Sequence, residues 1–150
     1  MKTEMNIAEM TVEDYDEVLL LWQNVKGMGL DEQSDSKKGI ANYLHRNPGL
    51  SFIARSNGSV VGAVLGGHDG RRGYLHHLAV DNSYQKKGVG KLLVERVIGR
   101  LRSLGIHMCH LFVFCSNKDA QEFWRKIGWK ERLDLKVMSK DISWENRDDS

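Results

Sequence analysis

The sequence is poor in cysteine, with only Cys109 and Cys115 among 150 residues. They lie six positions apart on one predicted strand. Their Cα atoms are then about 20 Å apart, whereas a disulfide allows roughly 7 Å. No apolar run approaches the ~20 residues of a membrane span, and the first residues lack the apolar core of a secretory signal. The spacings C-x-x-C and H-E-x-x-H, typical of metal sites, do not occur. We therefore expect a reduced, cytoplasmic protein with no membrane partner and no metal.

The sequence also lacks a large excess of charge of either sign. Its net charge is +2, with 41% apolar and 28% charged residues, as in globular proteins. At this length, one domain over residues 1–150 can bury roughly 70% of its unfolded surface. Basic residues are nevertheless concentrated between Ser83 and Arg102, with six against the single acid Glu95. That stretch indicates either a solvated helix face or an anion site, and it is not interleaved with aromatics as nucleic-acid modules are.

Hydrophobic periodicity predicts seven strands and four helices in the order β-α-α-β-β-β-α-β-α-β-β. The predicted strands are Asn6–Met10, Ser51–Arg55, Val60–Leu65, Gly73–Val80, His107–Cys115, Trp129–Leu135 and Lys136–Ile142. Helices are predicted after a capping box at Thr11 and Asp14, after N-cap candidates at positions 34–36, behind Gly90, and over Asp119–Ile127. A hairpin turn at Asn57-Gly58 joins the second and third strands. The small residues Gly62 and Ala63 indicate a close backbone approach there.

The stretch from Leu75 to Leu93 has the features of a phosphate site. An apolar strand ends at Val80, a polar turn follows, and a helix opens at the glycines Gly88 and Gly90. The free N–H groups and partial positive charge of a helix N-terminus attract phosphate. Glycine lets the backbone approach a phosphate closely and adopt positive φ. The basic side chains around the same turn are those of Lys86, Lys87 and Lys91.

Two common phosphate motifs are excluded by single residues. A Walker A loop requires Ser or Thr after its lysine, where Leu92 follows Lys91. A dinucleotide-binding fingerprint requires a third glycine where Leu93 stands. What remains is Q-x-x-G-x-G over residues 85–90, directly after a strand. This combination resembles the GNAT superfamily of acyl-CoA-dependent N-acyltransferases.

The resemblance covers residues 6–142 and implies an α+β, three-layer α/β/α-type GNAT fold. Its mixed, mostly antiparallel sheet would be splayed between strands four and five and flanked by helices. The resemblance implies acetyl-CoA as co-substrate, with its pantetheine arm along the fourth strand and its diphosphate on the glycine loop. The implied cofactor-binding residues are Leu78, Ala79, Val80, Gln85, Lys86, Lys87, Gly88, Val89, Gly90, Lys91 and Asn117.

The implied reaction is direct attack of a primary amine on the thioester, for which a base must first deprotonate the amine. His76 and His77 precede the implied pantetheine strand, and an imidazole titrates near neutral pH. Successive strand residues face opposite sides, so one histidine at most faces the cleft unless a bulge intervenes. His76 has the parity of Leu78 and Val80 and is favoured, with His77 and water as alternatives. A covalent route through Cys115 is a further alternative.

The segment from Asn117 to Trp129 resembles the family pattern N-x-x-A-x-x-F-Y-x-x-x-G-F. Trp124 stands where the family has a tyrosine thought to protonate departing CoA, and an indole N–H is no practical acid. This departure leaves a second function open, a non-catalytic acyl-CoA sensor with the same fold. The acceptor would be an amine of a small molecule or of a protein N-terminus. A homodimer is a further expectation, since many relatives dimerise.

Overall fold

The computed structural model describes residues 5–144, which contain five strands and four α-helices. The strands are β1 (Met5–Glu9), β2 (Phe52–Ser56), β3 (Ser59–His68), β4 (Gly73–Val80) and β5 (Cys109–Leu111). The helices are α1 (Tyr15–Asn24), α2 (Lys37–Arg46), α3 (Val89–Ser103) and α4 (Lys118–Lys126). Among these described helices, none combines the length and the hydrophobicity needed to cross a membrane. One compact unit ends at Asn117 and a second begins at Lys118, and the single domain stays a prediction.

The five strands form one mixed sheet in the order β1-β2-β3-β4-β5. The first three pairings are antiparallel, and β4 pairs with β5 in parallel. Asn57 and Gly58 turn the β2–β3 hairpin with φ of 52° and 83°, the left-handed values that an Asn-Gly turn supplies. The predicted mixed, mostly antiparallel sheet is therefore confirmed.

Helices cover both faces of this sheet. Side chains of α1 and α2 pack with alternate residues of β2 and β3, in a buried cluster that includes Trp22, Ile40, Ile53 and Leu65. The residues of β2 and β3 that alternate with these point to the opposite face, towards α3. A Cβ added at Gly62 of β3, for example, would lie 3.0 Å from Leu93 of α3. The sheet thus has α1 and α2 on one side and α3 on the other. This arrangement confirms the three-layer α+β architecture.

The absent side chain at Gly62 also sets the position of the α3 N-terminus. The same added Cβ would lie 3.2 Å from Cγ1 of Val89, the first residue of α3. Gly62 pairs across the sheet with Val80, the last residue of β4. The start of α3 is therefore packed directly onto the sheet beside the end of β4.

The two closing strands predicted at Trp129–Leu135 and Lys136–Ile142 are wrong. Within the part of the chain that the structure describes, residues 127–144 form no strand. An apolar alternation indicates which face of a strand could be buried, but a strand also needs a neighbouring edge to bond its N–H and C=O groups. Leu133 and Ile142, one in each of these two segments, are 87% and 86% exposed.

Candidate active site

A gap opens between β4 and β5. Three parallel residue pairs join the two strands: Gly73 with Cys109, Tyr74 with His110, and Leu75 with Leu111. The predicted fifth strand, His107–Cys115, is thus shortened to three residues, whereas β4 continues to Val80. From His76 to Val80 the outer edge of β4 has no strand beside it among the described residues. The predicted splay between the fourth and fifth strands is confirmed.

A β-bulge lies at the point where the gap begins. Ala79 pairs with Ala63 of β3, but His76 pairs with Leu65, so β4 has one residue more than β3 between these pairs. His77 carries the bulge, with a left-handed φ of 52° that non-glycine residues seldom adopt. The usual alternation of faces is therefore broken between the two histidines.

The bulge places both imidazole rings on the face covered by α1 and α2. The ring of His77 meets the indole of Trp22, from α1, edge-on at 5.0 Å between centroids. The ring of His76 meets Tyr43, from α2, edge-on at 6.0 Å. Strand parity without a bulge would have allowed one histidine on this face.

The two histidines differ in their polar contacts. Nε2 of His77 lies 2.9 Å from Oδ1 of Asp35, a carboxylate that is only 8% exposed. His76 makes no hydrogen bond to another described residue, and its ring stacks on Tyr74 at 6.4 Å and contacts Phe112. A nitrogen of His76 is therefore available to accept a proton, whereas Nε2 of His77 is occupied.

Burial keeps His76 neutral. Burial lowers its pKa below the ordinary value of 6.5, nearby His77 lowers the pKa further, and Asp35 partly opposes both effects. Tyr43 beside it has a raised pKa, first because of burial and second because of Cys109, so its hydroxyl stays protonated. The site thus presents an unprotonated imidazole next to a phenolic donor at neutral pH.

The lowered pKa makes stability depend on pH. Because the unfolded chain binds the His76 proton near pH 6.5, above the folded pKa, protonation favours unfolding. We expect stability to fall as the pH drops from 6.5 through the folded pKa. The free energy of unfolding in urea, measured for wild type and His76→Gln between about pH 7.5 and about pH 5, tests this expectation. The wild type should lose stability relative to the variant on acidification, and parallel curves would contradict the assignment.

The loop from Gln85 to Gly88 is exposed and leads directly into α3. Lys86 has φ of 62°, and Gly88, the N-cap of α3, has φ of 85°. In the described residues, the first N–H that bonds inside the helix is that of Leu92, to the carbonyl of Gly88 at 3.0 Å. The preceding main-chain N–H groups remain available to a ligand, as at any helix N-terminus.

The side chain of Gln85 has a local role in this loop. Its Nε2 donates to the carbonyl of Val80 at 3.0 Å and to Oδ1 of Asn82 at 3.1 Å. These bonds tie the loop to the end of β4. The amide side chain of Gln85 therefore shapes the loop, and the backbone N–H of Gln85 also donates within the turn, to the carbonyl of Asn82 at 3.4 Å.

The basic stretch divides into two parts. The guanidinium groups of Arg96 and Arg100 lie over the ring of buried Phe52, at 5.7 Å and 5.4 Å from its centroid. Arg100 also donates to the carbonyl of Gly49 at 3.1 Å. These two cations pack the helix onto the sheet, while the lysines at the loop and first turn of α3 are exposed.

The remaining implied residues lie on β4 and in the segment after β5. Ala79 is 2% exposed and faces α1, while Leu78 and Val80 are half-buried. Asn117 follows β5, where its Nδ2 would lie 2.5 Å from a Cβ added at Gly27. In the second unit, Trp124 packs between Phe123 and Trp129, each 5.1 Å away between ring centroids.

Three residues beside the histidines were not predicted as site residues. In the sequence, Asp35 ends a polar stretch, and Trp22 and Tyr43 recur with other apolar residues at helical spacing. Their spacing is that of ordinary core or cap residues, so no local signal distinguishes them. Across residues 5–144, no three histidine, cysteine or carboxylate side chains are arranged to hold a metal ion.

Comparisons with known proteins agree with this geometry. The model of the acetyltransferase (GNAT) family matches residues 14–129. An acetyltransferase of Yersinia pestis (strain Pestoides F) is 33% identical over 133 residues, 89% of this chain and 89% of that protein.

Two solved structures share the fold at 19% identity. The PaiA N-acetyltransferase of Thermoplasma acidophilum, in complex with coenzyme A, has a TM-score of 0.73 over 85% of this chain and 90% of its own. The aminoglycoside N-acetyltransferase AAC(6')-Iy, in complex with CoA, has a TM-score of 0.75 over 93% and 97%. Family match and sequence identity together show that this chain belongs to the GNAT family and is an acetyltransferase.

Proposed function

We propose that this enzyme binds acetyl-CoA in the gap beside β4 and transfers the acetyl group to a primary amine by direct attack. The observation that carries the proposal is the continuity of two features. The unpaired edge of β4, from His76 to Val80, runs straight into the exposed loop that opens α3. A strand edge and a helix N-terminus in series match an extended arm that ends in a diphosphate. Two proteins with this fold have been solved in complex with coenzyme A, which supports coenzyme A as the ligand.

The main chain supplies most of the cofactor contacts in this proposal. The N–H groups of residues 86–91 hold the diphosphate, with the ammonium groups of Lys86 and Lys87 close by. The backbone of residues 78–80 holds the pantetheine arm, and Asn117 contacts its amides. Gln85 acts indirectly, through the hydrogen bonds that shape the loop. Acetyl-CoA supplies the activated thioester, and the protein need only orient it and remove a proton from the amine.

His76 is the proposed base. Its pKa is lowered by burial, so it is neutral at physiological pH, and its ring nitrogens make no hydrogen bond to a described residue. A neutral imidazole can accept the amine proton directly or through one water. His77, whose Nε2 bonds to Asp35, is less suited to that task. A backbone N–H near the bulge is the proposed donor to the oxyanion.

The acceptor is an amine of a small molecule or of a protein N-terminus. The aminoglycoside N-acetyltransferase with this fold has, by its name, a small-molecule acceptor. A cytoplasmic location and a homodimer stay predictions.

The proposal is tested by calorimetry with CoA and by thiol release from acetyl-CoA in the presence of an amine panel. We expect CoA to bind and at least one amine to release thiol and gain an acetyl group. Binding without release for every amine would favour the sensor function that Trp124 suggests. Absence of CoA binding would overturn the proposal.

A further inference from the structure

The loop between α1 and α2 contacts both sides of the gap. We call residues 25–36 the bridging loop. On the β4 side, its Asp35 contacts His77. On the other side, a Cβ at Gly29 would lie 2.7 Å from the ring of Phe114, in the segment after β5. The bridging loop therefore spans the gap in which we place the thioester.

Asp35 is held by hydrogen bonds to its own loop, to α1 and to β4. Its Oδ2 accepts from the N–H of Asp31 at 2.8 Å, and its own N–H donates to the carbonyl of Asp31 at 3.0 Å. Its carbonyl accepts from the hydroxyl of Tyr15, from α1, at 2.6 Å. Its remaining oxygen, Oδ1, lies 2.9 Å from Nε2 of His77. The helix that follows does not require this carboxylate, because Ser36 caps α2 by accepting from the N–H of Gly39.

The residue that Asp35 contacts is the one whose backbone needs support. Among the described non-glycine residues, only Asn57, His77 and Lys86 have left-handed φ. Asn57 lies in a hairpin turn that demands this conformation, and Lys86 lies in the diphosphate loop. His77 lies within a strand, in neither a hairpin turn nor a ligand-binding loop. Backbone strain of this kind persists where surrounding contacts hold the residue in place. The contacts that hold it are the Asp35 carboxylate and the edge of Trp22.

We propose that Asp35 is a positioning residue for acetyl transfer. The contact with Asp35 fixes the position of His77, and His77 carries the bulge. The backbone of this bulge faces the thioester in our proposal. The proposed base, His76, is the residue directly before the bulge. This inference rests on the proposed function. Asp35 does not touch the reacting atoms, so it acts on the geometry of transfer and not on the retention of CoA.

Asp35→Ala should therefore lower kcat roughly 10- to 50-fold, because small displacements of reacting groups are costly. The Kd for CoA, measured by calorimetry, should change less than about threefold, since the α3 loop holds the diphosphate. Asp35→Asn should retain most of the activity, because its amide oxygen can accept from the N–H of Asp31 while its NH2 donates to Nε2 of the other His77 tautomer. Equal losses for the alanine and asparagine variants would overturn the proposal.

A double-mutant cycle separates positioning from general stabilisation. Glycine adopts a φ of 52° without support, so His77→Gly removes the need for Asp35 while leaving the bulge conformation accessible. In the His77→Gly background, Asp35→Ala should cost less than about threefold in kcat. The same loss in both backgrounds would overturn the proposal, since Asp35 would then support the fold alone. If Asp35→Ala does not fold, Asp35→Glu, which displaces the carboxylate by one methylene, takes its place in the cycle.

A readout without turnover distinguishes this inference from the proposed function. The backbone amide NMR signals of residues 77–79 should shift in Asp35→Ala and stay near wild-type positions in Asp35→Asn. If these signals behave as expected while no amine is acetylated, the proposed function fails, but the conclusion that Asp35 holds the backbone of the bulge is retained. If amines are acetylated but the signals do not move, the positioning role fails and the proposed function stands.

Discussion

Replacing His76 with alanine is expected to lower kcat by roughly 10²–10⁴-fold, the usual contribution of a general base. The KM for acetyl-CoA should change little, because the proposed diphosphate and pantetheine contacts come from the main chain elsewhere. The variant removes the imidazole at the bulge whose pKa is lowered by burial and whose nitrogens make no hydrogen bond to a described residue. Initial rates of thiol release at saturating amine and varied acetyl-CoA separate the two parameters.

His110→Ala is the matched control for that variant. His110 lies on β5, and its ring contacts Tyr74 at 5.9 Å, as the ring of His76 does at 6.4 Å. Both substitutions remove an imidazole from the same aromatic cluster, but His110 lies on the paired part of β5. We expect a kcat within about threefold of wild type for His110→Ala. Unchanged turnover in His76→Ala would contradict the assignment of His76 and indicate that His77 or water is the base.

Replacing Gly88 with valine is expected to weaken CoA binding roughly 100-fold or more. Gly88 is the N-cap of α3 with φ of 85°, a conformation that a β-branched residue avoids. The protein itself has room there, since an added Cβ would have no atom within 4 Å. The new side chain would therefore project from the exposed loop on which we propose that the diphosphate binds. Calorimetric titration with CoA measures the loss.

Gly58→Val controls for backbone strain. Gly58 has φ of 83°, and an added Cβ there would likewise have no atom within 4 Å, but the residue turns the β2–β3 hairpin. The two variants should lose similar stability in thermal unfolding, because the same strain is imposed in the same open space. CoA should bind Gly58→Val within about threefold of wild type. Equal weakening of CoA binding in both variants would contradict the placement of the diphosphate at the α3 loop.

The core of the fold was predictable from local patterns. The bounds of β4, Gly73–Val80, are those predicted, and the N-cap of the second helix, Ser36, lies within the predicted range 34–36. The loop before α3 was predictable because glycines, lysines and a helix start within a few residues leave a local pattern. The two closing strands could not be tested in this way, because a local apolar pattern carries no information about which sheet edge a strand would join.

The arrangement of the histidines required long-range contacts. The residues from Leu75 to Leu93 were sufficient to indicate a phosphate loop behind a strand, and hence the family. They could not indicate that His76 and His77 share a face, since strand alternation predicts the opposite. That outcome depends on a bulge at His77, which is held by Asp35, 42 positions earlier in the chain. A backbone conformation that is unfavourable for its own residue persists because distant side chains stabilise it.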